Sequence, residues 1–391
     1  MSDAISPPKM GEPYLLTPGP LTTSARTKEA MLRDWGSWDG EFRAITAEMR
    51  ARLLEMTGDT EGLLDCVPMQ GSGSFSVEAM LGTFIPRDGK TLVLSNGAYG
   101  KRIAKTLEYL NRDHIVIDKG DYMPPRGPEV TAAIKADPSI THVVVVHCET
   151  SSGILNPIKE IADAVEALGR KLLVDSMSAF GAIPLEINDV PYAAMVSSAN
   201  KCIEGVPGFG FVIVRKDELE AAKGRSHSLA LDVHAQWSHM NKTGQWRFTP
   251  PTHVVVAFLE ALHAHKAEGG VAGRGARYAR NRDVMVAGMR ELGFETLLND
   301  RWHSPIIVTF FCPANKTFSF DGFYEKMKSK GFIIYPGKLT FVDSFRIGCI
   351  GQMDENVMRD VVTAAKETLS EMGVDSAAPP PEAIIERNKL T

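Results

Sequence analysis

The sequence is short of several features that would assign it a class at once. Its five cysteines (Cys66, Cys148, Cys202, Cys312, Cys349) are odd in number and scattered, with no CxxC pair and no metal-ligand spacing. Neither a disulfide framework nor a metal is expected, and a reducing, cytoplasmic setting fits. No stretch approaches the ~18 uninterrupted apolar residues of a membrane-spanning helix. Met1–Pro13 carries Pro7, Pro8 and Pro13 and no apolar core of signal length, so neither membrane insertion nor export is expected. A net charge of −5, with lysines and arginines spread along the chain, offers no basic stripe for nucleic-acid phosphates. Internal repeats are absent, as are a Walker loop and a GxGxxG followed about twenty residues later by a ribose-binding acid, which argues against a dinucleotide-dependent oxidoreductase. What is there is an ordinary globular composition over 391 residues, room for one large domain and a smaller one.

Between about residues 60 and 215, short apolar runs alternate with longer amphipathic stretches. The runs Thr91–Ser95, His142–His147, Lys171–Asp175, Ala193–Ser198 and Phe209–Val214 read as strands of a mainly parallel sheet. Helical patterns follow over Pro251–His265 and Gly275–Leu292. The texture then changes: Pro305–Phe311, Phe332–Tyr335 and Ser344–Cys349 predict strands, and Asp321–Lys330 and Asp354–Met372 predict helices. The expected fold is therefore α/β, a large domain with a mainly parallel sheet sandwiched by helices plus a smaller C-terminal α+β domain. The expected division is 1–20 as an N-terminal segment near the site or small domain, 21–275 as the large domain and 276–376 as the small one. Residues 377–391 read as a peripheral polar tail, because the proline run ending at Pro381 stops a helix.

Three segments carry chemistry. Gln70-Gly-Ser-Gly-Ser74 lies between a strand over Asp65–Met69 and a helical run over Phe75–Thr83. Unpaired first-turn N–H groups and the helix dipole suit a phosphate there, a tight turn with a serine cap being the plainer alternative. Lys171-Leu-Leu-Val-Asp175 is an apolar strand ending in a carboxylate; such an acid faces the crevice beyond the sheet or caps a helix. Met195-Val-Ser-Ser-Ala-Asn-Lys201 is another apolar strand that ends in a lysine, followed by a glycine-rich turn. Partial desolvation there favours the neutral amine needed to bond a carbonyl carbon. Together the three meet the demands of pyridoxal 5'-phosphate (PLP): an amine for its aldehyde, an acid for its ring nitrogen and an anion hole for its phosphate.

Further residues extend this set. Tyr99, in Asn96-Gly-Ala-Tyr-Gly100, could stack on a flat ring or pack in the core. His147-Cys-Glu-Thr-Ser-Ser-Gly153 presents hydroxyls at the same edge; its His, Cys and Glu alternate faces, which speaks against a metal. Arg346 stands within an otherwise buried strand and should have an anionic partner, internal or substrate.

With these residues in place the chain resembles the class V aminotransferases of PLP fold type I from Tyr14 to about Met372, most of all the branch that moves an amino group from an aminophosphonate to pyruvate. The similar stretches are Leu15-Leu-Thr-Pro-Gly-Pro-Leu-Thr-Thr-Ser24, Gln70–Ser74, Ser95–Gly100, Ser197–Gly208, Trp246-Arg-Phe-Thr-Pro-Pro-Thr-His253, Tyr335-Pro-Gly-Lys338 and Phe345–Gly348. The resemblance implies that Lys201 carries the cofactor, Asp175 pairs with its ring nitrogen, and Ser72, Gly73 and Ser74 hold its phosphate. It also implies that Tyr99 stacks on the ring, Thr150 bonds the ring hydroxyl, Asn200 joins the cofactor-binding set, Thr249 reaches the phosphate from the other subunit of a homodimer, and Arg346 binds the substrate anion. A phosphonate lies one carbon farther from the reacting centre than a carboxylate does, so a second anion site is needed; Thr23, Ser24, Arg247 and Lys338 are its candidates. Elimination from the hydroxylated phosphonate, and an alanine-glyoxylate type of transfer, are the alternative activities.

Overall fold

A computed structural model describes residues 12–337 and 342–390, without the Leu390 side chain. Its centre is a seven-stranded sheet built from β1 (Leu64–Gln70), β2 (Lys90–Ser95), β3 (Asp113–Asp118), β4 (Ile140–Val146), β5 (Lys171–Asp175), β6 (Ala194–Ser198) and β7 (Phe209–Arg215), in the order β1-β7-β6-β5-β4-β2-β3. All neighbours are parallel except β7, which runs antiparallel to both β1 and β6. The central strands read as unbroken apolar runs because both faces are covered: Val143, Val144 and Val145 are wholly buried, in two clusters on opposite sides of the sheet. Residues at the strand ends come into register, Val146 opposite Asp175 and Asp175 opposite Val196, which sets the chemistry-bearing loops along one edge.

A second, antiparallel sheet pairs β8 (Ile307–Phe311), β10 (Ser344–Gly348) and β9 (Tyr335–Pro336), in the order β8-β10-β9. Its own core gathers Phe294, Phe310, Phe323 and Phe345 beneath the helix Glu355–Glu371. The α/β reading with a smaller α+β unit is thus what the chain adopts.

Three local readings need correction. The expected strand Phe332–Tyr335 is broken: Phe332–Ile333 pairs in parallel with Tyr14–Leu15, whereas Tyr335–Pro336 pairs with β10, so the chain changes sheets at Ile334. The long helix begins at Gly270, before the expected Gly275, and runs to Glu291. A glycine in it allows close packing: a Cβ on Gly275 would lie 2.3 Å from the Ala182 carbonyl oxygen. Lastly, Pro381–Leu390 is a helix, with Ala383 buried and Arg387 bonded to the Thr296 carbonyl at 2.8 Å. Proline blocks a helix interior but suits its first position, as Pro381 does here.

Candidate functional site

The strand ends converge on a cavity of about 430 Å³, the place where open α/β sheets gather ligands. Lys201 enters it from the loop after β6, and its Nζ donates to the carbonyls of Pro18 at 2.9 Å and Gly19 at 3.1 Å. The N-terminal segment therefore crosses over the lysine. Only glycine suits position 19: φ is +109°, and a Cβ would lie 2.7 Å from both the Asn200 carbonyl oxygen and Lys201 Cδ.

Asp175 ends β5 in the cavity wall and accepts the Met177 N–H at 3.0 Å. Burial pushes its carboxyl up to about 6; the Met177 N–H opposes this, the charge of Glu149 adds to it, and Arg102 and Lys201 pull the other way. From β1 the chain turns into helix α1 (Gly73–Phe84), whose N-cap Ser72 makes no side-chain capping bond, and Ser72, Gly73 and Ser74 all line the hollow. A lysine, a buried acid and a helix start left uncapped by its own serine share one cavity, so the residues fit PLP. Thr150, Tyr99 and Asn200 line it too, and the Asn200 amide oxygen accepts the Ser198 hydroxyl at 3.1 Å.

Arg346 lies behind Thr150, wholly buried in β10. Its Nη1 donates to the Thr150 carbonyl at 2.8 Å, and its Nε and Nη2 share the Pro336 carbonyl at 3.0 and 2.9 Å. Among the described residues it has no carboxylate partner, and burial pushes the guanidinium down.

The described candidates for a second anion site do not join this cavity. Ser24 caps the helix Ala25–Glu29, its hydroxyl oxygen accepting the Thr27 N–H at 3.1 Å, and Thr23 is buried next to it. Arg247 and Thr249 line a separate surface groove of about 380 Å³, where Arg247 Nη1 donates to the Leu229 carbonyl. Lys338 falls outside the described residues. A larger hollow of about 730 Å³, beside the C-terminal helix, is lined by Asp321, Asp343, Glu382 and Glu386 and, among the described residues, by no lysine or arginine, so the chemistry points to the smaller one.

Two residues of the site escape a reading of the sequence. Glu149, wholly buried, accepts the N–H groups of Tyr99 (3.0 Å) and Gly100 (3.2 Å) on one oxygen, and the N–H (3.1 Å) and hydroxyl (2.5 Å) of Ser151 on the other. It caps helix α2 (Ala98–Tyr109), and the only hint was that Gly97, at the N-cap, has no side chain with which to do so. Burial pushes the Glu149 carboxyl up against those four bonds. Arg102 also lines the cavity, three residues after Tyr99 and so on the same helix face.

The sequence model of the family Aminotransferase class-V matches residues 117–317. Over 381 residues the chain is 76% identical to the 2-aminoethylphosphonate–pyruvate transaminase of Rhizobium meliloti (strain 1021), covering 97% of this chain and 100% of that one. It is 70% identical over 383 residues to 2-aminoethylphosphonate–pyruvate transaminase 1 of Paraburkholderia xenovorans (strain LB400), covering 98% of each. Among solved structures, pyridoxamine-pyruvate aminotransferase from Mesorhizobium loti superposes with a TM-score of 0.86 at 22% identity, over 98% of each chain. Ureidoglycine-glyoxylate aminotransferase from Bacillus subtilis does so with 0.85 at 17%, over 98% of this chain and 99% of that one. At those identities the two structures speak for the fold alone.

Proposed function

This chain belongs to the class V aminotransferases, and from that premise we propose that it moves the amino group of 2-aminoethylphosphonate to pyruvate, giving phosphonoacetaldehyde and L-alanine, with PLP held on Lys201. The observation that carries the substrate side is Arg346. A buried guanidinium lacking an anion is costly, and an anionic substrate beside it removes that cost. Its planar fork suits both a carboxylate and a phosphonate. The similarity to transaminases named for this substrate pair supports the choice between amines.

When bound, PLP supplies the electron sink that makes an amine-bearing carbon acidic and carries the amino group from one substrate to the other. The chain's own residues do the rest. Lys201 would hold the cofactor and, through Nζ, would carry the proton taken from the amine-bearing carbon, and the carbonyls of Pro18 and Gly19 are acceptors that orient that Nζ. Asp175, buried at the strand end, sets its charge against the ring nitrogen, while Tyr99 faces the ring. The start of α1 holds the phosphate. Thr150 offers its hydroxyl to the ring substituent and its carbonyl to Arg346, so one residue ties the cofactor end of the cavity to the substrate end.

The reading includes a homodimer in which Thr249 and Arg247 reach the other copy's site, Thr249 toward the phosphate and Arg247 toward the phosphonate. Their groove, separate from the Lys201 cavity and beside the exposed Phe248, supports that assignment. No helix among the described residues is long and apolar enough to cross a membrane.

The test is to add 2-aminoethylphosphonate without keto acid to PLP-loaded protein, follow the visible absorption of the bound cofactor, then add pyruvate and assay alanine. Loss of the band on adding the amine and its return with stoichiometric alanine is expected. A band unmoved by the amine would overturn the substrate, and a protein that acquires no band would overturn the role of Lys201.

A further inference from the structure

The turn that receives the phosphate in this reading offers only neutral donors of its own, serine hydroxyls and the backbone N–H groups at the start of α1. A phosphate group carries up to two negative charges and is held best where a cation shares the load. Helix α2 brings one. Arg102 lines the same cavity as Ser72, Gly73 and Ser74. Its Nη1 lies 3.4 Å from Ser74 Oγ, and its Cζ lies 4.8 Å from the Tyr99 ring centroid. It forms no ion pair among the described residues, unlike Arg126 or Arg50, which pair with Glu160 and Asp65. No carboxylate is bonded to it there, and its charge acts on the chain only at a distance, drawing the Asp175 carboxyl down.

We propose that Arg102 is a phosphate-binding residue, supplying through Ser74's side of the turn the positive charge that the helix start lacks, with its guanidinium lying against the Tyr99 ring. This rests on the reading that PLP occupies the Lys201 cavity. The arrangement would join two tasks in one side chain, because the guanidinium plane that meets the phosphate also supports the residue that faces the ring.

The test separates those tasks. Full-length wild-type protein and Arg102→Met are titrated with PLP and, separately, with pyridoxal, which has the same ring and aldehyde without the phosphate, reading visible absorption. One charge-assisted bond corresponds to a loss of about tenfold to a hundredfold in PLP affinity. Pyridoxal affinity should fall by clearly less, through the lost support of Tyr99 alone, and Arg102→Lys should regain part of the loss. Circular dichroism of each variant confirms that it is folded, and Arg102→Gln stands in if the methionine variant is not. Equal losses for both ligands would make Arg102 a support for Tyr99 alone and overturn the phosphate role, as would no loss at all. A wild-type protein that binds neither ligand would remove the cofactor reading itself, an outcome distinct from a failure confined to the variants.

Discussion

Two sites bury arginines, and their charges are handled in opposite ways. Arg274 and Arg277, on the helix Gly270–Glu291, are held by acids: Arg277 Nη2 to Glu204 at 2.8 Å, and Arg274 Nε and Arg277 Nε to Glu268 at 2.7 and 2.6 Å. Tyr278 adds its hydroxyl to Glu204 at 2.6 Å. The acids, with burial opposing, push both guanidiniums up, whereas burial pushes Arg346 down. Two guanidiniums and two carboxylates make the first site neutral, and it needs no visitor. Arg346 has two carbonyls and an aromatic ring, Tyr335, at 5.2 Å. The first arrangement is architecture. It anchors the loop after Lys201, through Cys202 and Glu204, to the small unit, through the Gly351 and Met353 carbonyls that Arg277 also reaches. The second has no carboxylate bonded to it among the described residues, which supports the proposal that it receives a substrate anion.

The largest effect should come from unbalancing the paired site. Glu204→Gln leaves two buried guanidiniums sharing one carboxylate, and breaking a buried pair on one side destabilises by about 3–5 kcal/mol. Urea denaturation should show this loss without any change in the ratio of pyruvate to aminophosphonate kinetics. A variant as stable as the parent would mean that the network is not what fastens the helix to the lysine loop.

Arg346→Met should behave in the reverse sense. Removing a buried charge to which no carboxylate is bonded among the described residues should leave stability unchanged or raised, while kcat/KM for both substrates falls about a hundredfold or more through loss of a bidentate anion contact. Arg346→Lys should recover little, since a point charge cannot reproduce the fork. Steady-state kinetics beside a thermal melt decides: a strongly destabilised, catalytically normal Arg346→Met would reverse the roles given to the two sites.

The same contrast marks what the sequence could tell. Arg346 stood out because a cation interrupts Phe345, Ile347 and their apolar neighbours, and Lys201 and Asp175 stood out because each ends an apolar strand. Local pattern places such residues at a sheet edge, and shared topology brings them together. Arg274 and Arg277 gave no such sign: they sit in a glycine-rich, arginine-rich run beside Arg280 and Arg282 that reads as solvated, and only the packing of that helix against the 199–205 loop buries them. Glu149 and Arg102 were hidden for the same reason. The first caps a helix fifty residues earlier, and the second leans on a turn twenty-eight residues earlier. The break at Ile334 depends on a partner strand from the N-terminus, which no local periodicity encodes.

The acids mirror the arginines, and an effect that appears only with pH separates them. Glu204 lies among two guanidiniums and a hydroxyl, whereas Asp175 accepts the Met177 N–H and sits where burial prevails, its carboxyl raised from 3.8 to about 6. In cofactor-free protein the folded state therefore holds the Asp175 proton more tightly than the unfolded chain does. Stability from this group is fully present below pH ~4 and is lost as the pH climbs through about 6, by about 3 kcal/mol at ~1.4 kcal/mol per unit. Asp175→Asn keeps an oxygen for the Met177 N–H and never ionises. Cofactor-free Asp175→Asn should match the parent near pH 4 and exceed it by up to that amount at pH 8, although on the proposed function the variant would give up the charge set against the ring nitrogen and with it most of the activity. Urea denaturation at the two pH values reads the difference directly. If the parent is the more stable protein at pH 8, Asp175 is already compensated within the chain, as Glu204 is, and its burial would no longer mark a place prepared for a cation from outside.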